Sequence, residues 1–236
     1  LLVLLLCGQV PAKEIASGDD GTAISGGGDV VWYSRYVSRG VASSEGPVLQ
    51  PSAWIALDDV TVSVFGNYVL TEEGQESRFN EADVSLTWSR EWNRFTIEPA
   101  FTLYTYPHSQ EHSQYEPGLT LAREWGPWRL STFHSLTFAA GEKASYYGEA
   151  AVGYQYDFSE KLSLTTEWAV SWPAPAASVE GRLSYDLTAN LSLSLYAGCS
   201  IAGSDVATSD DHDSEREDSI SQGRNGYFGL GLGFSF

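Results

Sequence analysis

Apolar and polar residues alternate strictly along several segments of this chain. Between residues 191 and 201 the odd positions are Leu, Leu, Leu, Ala, Cys and Ile, and the even positions are Ser, Ser, Tyr, Gly and Ser. The same period of two recurs over residues 162–172 and 60–64. Such alternation places the two sets on opposite faces of a β-strand. A strand of about eleven residues has the length of a tilted membrane strand.

Short turn sequences and longer polar segments separate these strands. Tight turns are predicted at residues 58–59, 91–93, 125–127, 158–160 and 188–189, a spacing of roughly 30 residues that is typical of a hairpin repeat. Longer connections are predicted at residues 39–46, 71–78, 107–113, 139–143, 173–176 and 203–222. The pattern predicts an all-β fold, a closed antiparallel barrel of about twelve strands with ten or fourteen as alternatives, whose two ends lie on the short-turn side.

Alternation alone also fits a soluble barrel whose apolar face turns inward. Two features favour a membrane barrel instead. The polar face carries charge and the opposite face is nearly free of it, as expected for a wet lumen surrounded by lipid. Aromatic residues gather near the predicted strand ends, where amphipathic rings suit the two headgroup levels. They are Trp88, Trp92, Phe95, Trp125, Trp128, Tyr156 and Phe158 near the short turns, and Tyr36, Tyr68, Tyr106, Tyr146 and Trp172 near the long connections.

The last strand gives a third indication. Phe228, Leu230, Leu232, Phe234 and Phe236 occupy every second position up to the end of the sequence. This pattern resembles the terminal strand of bacterial outer-membrane proteins, whose final aromatic residue is recognised by the barrel-assembly machinery. We therefore expect these five residues to form a C-terminal assembly signal.

The first residues are interpreted as a targeting segment. Residues 1–7 are apolar, and Val10-Pro11-Ala12 supplies the small residues that signal peptidase favours, so residues 1–12 are predicted to be a signal-peptide remnant. Cys7 weakly suggests the alternative of lipoprotein processing. Residues 13–28 are predicted to be a periplasmic linker and residues 29–236 the barrel. If Cys7 is removed with the signal segment, Cys199 has no disulfide partner. The expected location of the barrel is the outer membrane of a Gram-negative bacterium.

One hairpin resembles a known family. Tyr36-Val37-Ser38-Arg39-Gly40, followed by residues 46–52 (Gly-Pro-Val-Leu-Gln-Pro-Ser), resembles the first hairpin of TorF-type porins, in which a tyrosine-valine-x-arginine-glycine motif precedes a short loop. The match covers residues 31–57. Aspartate often precedes the family tyrosine, whereas Arg35 stands there in this chain. The resemblance implies a porin-like barrel.

Charge suggests what the lumen could pass. The net charge is −18; residues 203–222 contribute seven carboxylates and one arginine, or −6, which leaves −12 elsewhere. The alternation of side chains between the two faces of each strand, here called strand parity, places more carboxylates than arginines inside. Rings of carboxylates attract cations. An alternative is that these charges pair across a closed lumen. The predicted pore-lining residues are Arg35, Arg39, Asp83, Glu98, Glu116, Glu149, Glu167, Glu180 and Arg182, with Glu81 and Asp186 also inside.

Other functions find little support in the sequence. The acidic balance disfavours nucleic-acid binding. An outer-membrane lipid hydrolase needs histidine and serine on one face, but the neighbours His134 and Ser135 point to opposite faces. His108 and His112 flank Glu111 without a rigid scaffold, and residues 210–218 lack the spacing of a calcium loop. We expect no catalytic residues, no metal site and no cofactor.

The sequence thus predicts a porin-like channel for passive diffusion of small polar or cationic solutes. The alternative is a non-conducting structural or adhesive barrel that acts through its extracellular loops, and a membrane-embedded lipid hydrolase ranks third. The expected partners are outer-membrane lipid and lipopolysaccharide, the barrel-assembly machinery during biogenesis, and a small polar solute.

Overall fold

The structure, a computed structural model, describes residues 23–44, 46–70, 79–107, 112–203 and 223–236. These residues form fifteen strands. They are β1 (Ile24–Tyr33), β2 (Val37–Ser38), β3 (Val41–Ala42), β4 (Val48–Leu57), β5 (Val60–Val69), β6 (Phe79–Trp88), β7 (Arg90–Trp92), β8 (Phe95–Thr105), β9 (Gln114–Trp125), β10 (Trp128–Ala139), β11 (Ser145–Asp157), β12 (Leu162–Trp172), β13 (Ala176–Thr188), β14 (Leu191–Ala202) and β15 (Arg224–Ser235).

Twelve of these strands close into one antiparallel barrel, which confirms the predicted fold class. Strand β7 continues the direction of β6, while β2 and β3 form a separate small hairpin. Neighbouring barrel strands pair along the chain, and β1 pairs with β15 to close the cylinder. At this seam the amide of Gly26 donates to the carbonyl of Phe236 at 3.0 Å, and the amide of Phe236 donates to the carbonyl of Gly26 at 2.8 Å. Each of the twelve described barrel strands is paired on both sides, as a membrane barrel requires.

The barrel begins earlier than the sequence pattern indicates. Strand β1 starts at Ile24, so residues 24–28, expected in the linker, are part of the first strand. Three consecutive glycines hide the alternation here. Gly27 is tightly enclosed, because a Cβ atom there would lie 2.5 Å from the carbonyl oxygen of Phe234. The predicted signal segment, residues 1–12, lies outside the described residues.

Five short turns lie at one end of the barrel, here called the turn side, and the longer connections lie at the other, the loop side. One predicted turn is displaced: Arg90–Trp92 continues as strand β7, and the chain reverses at Asn93 and Arg94, which both have positive φ angles of 49° and 71°. Asparagine tolerates this left-handed conformation better than most residues. The connections at residues 71–78 and 204–222 lie outside the described residues.

The two faces of each strand differ as predicted. In β15, Phe228, Leu230, Leu232 and Phe234 point outward and are about half exposed, whereas Asn225 is fully buried inside. The outward apolar side chains form the surface that lipid would contact. Among the described residues, no helix is long and apolar enough to cross a membrane.

Exposed aromatic rings surround both ends of the barrel. Trp125, Trp128 and Tyr156 are exposed at the turn side, and Tyr146 and Trp172 at the loop side. Two residues expected in the loop-side ring lie elsewhere: Tyr36 is buried in the interior, and Tyr106 lines an interior cavity. Both residues lie just beyond the end of a barrel strand, Tyr106 one residue after β8 and Tyr36 three residues after β1, where strand alternation no longer determines which way the side chain points.

Candidate functional site

The connection between β1 and β4 folds into the barrel. Its hairpin, β2 and β3, turns at Arg39 and Gly40, which both have positive φ angles of 50° and 84°. Glycine adopts this conformation at little cost, and the turn needs it. We call residues 34–44 and 46–47 the docked loop, because its tip contacts walls on several sides of the lumen.

Arg39 provides the first anchor of the docked loop. Its Nη2 atom donates to Oε2 of Glu116 on β9 at 2.5 Å, and its guanidinium lies 4.2 Å from the centre of the Tyr147 ring on β11. Glu116, only 2% exposed, also accepts bonds from the hydroxyls of Tyr104 at 3.1 Å and Thr137 at 2.7 Å. Burial lowers the pKa of Arg39, but the Glu116 carboxylate outweighs this effect and raises the pKa above its usual value.

Gly40 provides the second anchor. Its carbonyl oxygen accepts hydrogen bonds from the Ser200 hydroxyl on β14 at 2.9 Å and from the Asn225 amide on β15 at 3.3 Å. A Cβ atom at this position would lie 2.5 Å from Cβ of Ala176, so a larger residue could not sit as closely against the wall. The docked loop is therefore held at β9, β11, β14 and β15 together.

Beside the docked loop the interior is filled by apolar and tyrosine side chains. Three of its rings touch edge to face: Tyr33 lies 5.4 Å from Tyr196 and 5.9 Å from Tyr227 between ring centres. This packing occupies part of the lumen beside β1, β4, β5 and β14. The cluster consists of Val31, Tyr33, Tyr36, Val48, Val69 and Tyr196, with Tyr227 packed against it.

Two larger cavities lie at opposite ends of the lumen. The loop-side cavity measures about 140 Å³ and the turn-side cavity about 150 Å³. A space of about 10 Å³ beside Arg129 and Glu149 lies between them, which is room for about one water molecule. The loop-side cavity is lined by Tyr36, Ser38, Arg39, Phe65, Glu81, Asp83, Tyr104, Tyr106, Gln114 and Glu116. Charged groups of the turn-side cavity are Asp29, Arg182 and Asp186.

Most of the predicted pore-lining residues point into this lumen. Asp83, Glu116, Glu149 and Glu180 are buried there, and Glu167 lies directly opposite Glu180 on the neighbouring strand. Besides Glu116, two of these carboxylates accept a bond from a tyrosine hydroxyl: Tyr147 donates to Glu149 at 2.7 Å and Tyr227 donates to Glu180 at 2.5 Å. Glu98 and Arg182 also face inward, Glu98 opposite Arg129 and Arg182 at the turn-side cavity.

Arg35 was predicted to line the pore but does not join these lumen residues, whereas Arg129 and Asp29 do. Arg35 is half-buried in the docked loop but lines neither of the two larger cavities. Arg129 lies inside, where its guanidinium is 3.5 Å from Glu98 and 3.1 Å from Glu124. Asp29 lies inside as well and accepts a 2.7 Å bond from Ser52. Sequence reasoning missed Arg129 because the parity of its strand was ambiguous, and Asp29 because it stood at the expected linker boundary.

His134 faces outward, and its neighbour Ser135 is buried inside. The His134 ring nitrogen Nδ1 lies 2.7 Å from the hydroxyl of Tyr146, which also accepts a bond from Trp172 Nε1 at 3.2 Å. His134 and Ser135 therefore cannot act as a base and nucleophile. Within the described ranges, no group of three or more His, Cys, Asp or Glu side chains could hold a metal ion. His108, Glu111 and residues 210–218 lie outside those ranges.

Comparison with known proteins supports the architecture. No family model and no curated protein sequence matches the chain, so the resemblance to TorF-type porins stays a prediction. Solved structures do match. The KdgM porin aligns with a TM-score of 0.60 at 12% identity, covering 89% of this chain and 99% of that one. The chain has the fold of an outer-membrane porin barrel.

Two further structures agree with this fold. The NanC porin aligns with a TM-score of 0.60 at 10% identity and covers 88% of this chain and 98% of its own. The COG4313 outer membrane channel from Pseudomonas putida F1 aligns with a TM-score of 0.53 at 10% identity, covering 90% and 95%. At these identities the likeness establishes the fold, and function has to be argued from the lumen.

Proposed function

We propose that this protein is a porin-like channel of the bacterial outer membrane, through which small polar or cationic solutes diffuse. The observation that carries the proposal is the charge of the lumen face. Among the described inward-facing residues, carboxylates outnumber guanidinium groups: Asp29, Glu81, Asp83, Glu98, Glu116, Glu149, Glu167, Glu180 and Asp186 against Arg39, Arg129 and Arg182. Carboxylates along a pore favour cations over anions.

The docked loop sets the size limit in this proposal. A solute that passes from the loop-side cavity towards the turn side meets Arg39 and Glu116, which are joined across the lumen. The space beside Arg129 and Glu149 then accommodates about one water molecule. Only small solutes are expected to pass unless the docked loop moves.

A second candidate is a non-conducting barrel that acts through its loop-side surface. The favouring observation is the fourfold anchoring of the docked loop together with the interior cluster around Tyr33 and Tyr196. Side chains fill the interiors of many small barrels in this way.

Single-channel recording separates the two candidates. The refolded protein is inserted into a planar bilayer under a KCl gradient, and the reversal potential gives the ion preference. Discrete steps with a cation preference are expected. Steps that favour anions would contradict the proposed selectivity, and silence from a protein with a folded β-barrel spectrum would favour the second candidate.

A further inference from the structure

Asp83 carries an unpartnered oxygen inside the lumen. Its side chain is only 5% exposed, lies on β6 and lines the loop-side cavity. Its Oδ1 atom is fully buried and has no hydrogen-bond partner among the described residues. A buried carboxylate oxygen without a donor is costly. The position therefore favours a bound group that supplies N–H or O–H donors from within the cavity.

Aromatic residues stand beside Asp83 on both neighbouring strands. Asp83 lies directly opposite Phe65 on β5 and directly opposite Tyr104 on β8, with all three side chains on the lumen face. Tyr36 and Tyr106 line the same cavity. Aromatic faces attract organic cations, most strongly where water is excluded. A carboxylate between aromatic rings is therefore suited to an alkylammonium group.

The charge of the cavity also favours a bound cation. Arg39 and Glu116 are paired with each other, so the charge of that arginine is already balanced. Glu81 and Asp83 are two residues apart on the same face of β6 and line the same cavity. Two carboxylates held this close repel each other, and a cation between them would relieve that repulsion.

The size and the donor set distinguish an organic cation from a metal ion. No described group of three or more carboxylate, histidine or cysteine side chains could hold a metal, and a calcium ion needs six or more oxygen ligands. The cavity of about 140 Å³ is close to a cavity of roughly 150 Å³ that holds benzene. A cation with about six non-hydrogen atoms fits this space.

We propose that the loop-side cavity binds a small primary alkylammonium ion, whose N–H groups donate to the Asp83 carboxylate as its side chain turns Oδ1 towards the cavity, while the alkyl part lies against Phe65 and Tyr104. The inference deepens the proposed channel function, on which it rests for access to the lumen, by naming the class of solute.

Calorimetric titration of the full chain in lipid nanodiscs tests this inference, with empty nanodiscs as the blank. The probe is 3-methylbutylammonium chloride, and its uncharged analogue is 3-methyl-1-butanol. Asp83→Asn keeps the shape of the side chain and removes its charge. Asp186→Asn removes a carboxylate from the turn-side cavity and is the matched control. Tyr106→Leu is a second variant at the rim of the site, in case Asp83→Asn does not fold.

The expected result is saturable binding of the ammonium probe, weakened about tenfold or more by Asp83→Asn and unchanged by Asp186→Asn. Tyr106→Leu should weaken binding by a smaller factor, and the alcohol should show no saturable binding. Equal binding by the wild-type and Asp83→Asn proteins would overturn the inference, as would equal binding of the alcohol. Displacement of the probe by equimolar Ca²⁺ would also overturn it, because the site would then be one for inorganic cations.

Conductance recorded on the same preparations keeps the two proposals apart. A barrel that binds the probe but stays silent in the bilayer contradicts the channel function alone. A conducting barrel without probe binding contradicts the cation site alone.

Discussion

Replacing Arg39 by alanine removes the charged anchor of the docked loop and leaves the barrel strands unchanged. The lost interactions are a charge-assisted hydrogen bond to Glu116, worth about 1.5–3 kcal/mol, and a cation–π contact with Tyr147, worth about 0.5–2 kcal/mol. The two hydrogen bonds to the Gly40 carbonyl remain, at about 1 kcal/mol each.

The substitution also leaves Glu116 without its counter-charge. Its carboxylate is only 2% exposed, and the donors it keeps among the described residues are the hydroxyls of Tyr104 and Thr137. Leaving a buried charge unpaired is strongly unfavourable, and water entering the lumen would relieve it. The lost contacts are together worth about 2–5 kcal/mol, and the anchors that remain are the Gly40 bonds and the packing of the buried Tyr36. We therefore expect the tip of the docked loop to leave the β9 and β11 walls for a measurable fraction of the time.

Single-channel recording measures this effect. The Arg39→Ala protein should show a higher mean conductance than the wild type, transitions between two levels, and a stronger cation preference. Arg35→Ala is the control, since it removes the same charge from the same loop at a residue that lines neither larger cavity. If Arg39→Ala, folded as judged by its circular dichroism, conducts like both the wild type and Arg35→Ala, the docked loop does not limit the pore.

Three further predictions concern the wall of the barrel. Cys199 points outward. When the other cysteine is replaced by serine and Cys199 carries a fluorophore, a lipid-soluble quencher should reduce its fluorescence and iodide should not. Quenching by iodide alone would place the residue in water. Gly229→Ala should lower the free energy of unfolding by about 1–3 kcal/mol, because its Cβ would lie 2.5 Å from the Tyr33 ring and 2.8 Å from a backbone oxygen. In the control Gly226→Ala the new Cβ meets no described atom within 4 Å, so little effect is expected. Equal urea midpoints of the two variants would refute this prediction. Phe236→Ala should reduce the amount of assembled barrel in outer-membrane fractions, measured by heat-modifiable gel mobility, because alanine removes the ring that packs directly over Gly26 at the seam; unchanged yield would contradict a role in assembly.

The barrel itself could be predicted from the sequence because its signal is local. In a strand such as β14, the alternation of apolar and polar residues is enough to identify which side chains face outward and which face inward. The inward direction of Glu116, Glu149 and Glu180 followed from that parity, and the structure places them inside. The boundary at Ile24 was missed because consecutive glycines carry no hydrophobicity difference between the two faces.

The contacts inside the lumen could not be predicted in the same way. Parity states that Glu116 points inward, but not that its partner is Arg39, which lies 77 residues away on a connection. Tyr36 was expected among the interfacial aromatics because connections usually run over the surface, whereas this connection folds into the barrel. Pairings of this kind depend on how the cylinder closes, and no single strand encodes that closure.

The anchors of the docked loop also impose an order on biogenesis. Gly40 lies between β1 and β4, but the side chains that hold its carbonyl oxygen lie 160 and 185 residues further along, on β14 and β15. Contacts so distant in sequence form late, because the intervening chain must be ordered first. The Gly40 anchor therefore forms only once the final hairpin is in place, whereas the Arg39–Glu116 contact needs only β9. The step that closes the cylinder is thus also the step that completes the docking of the loop.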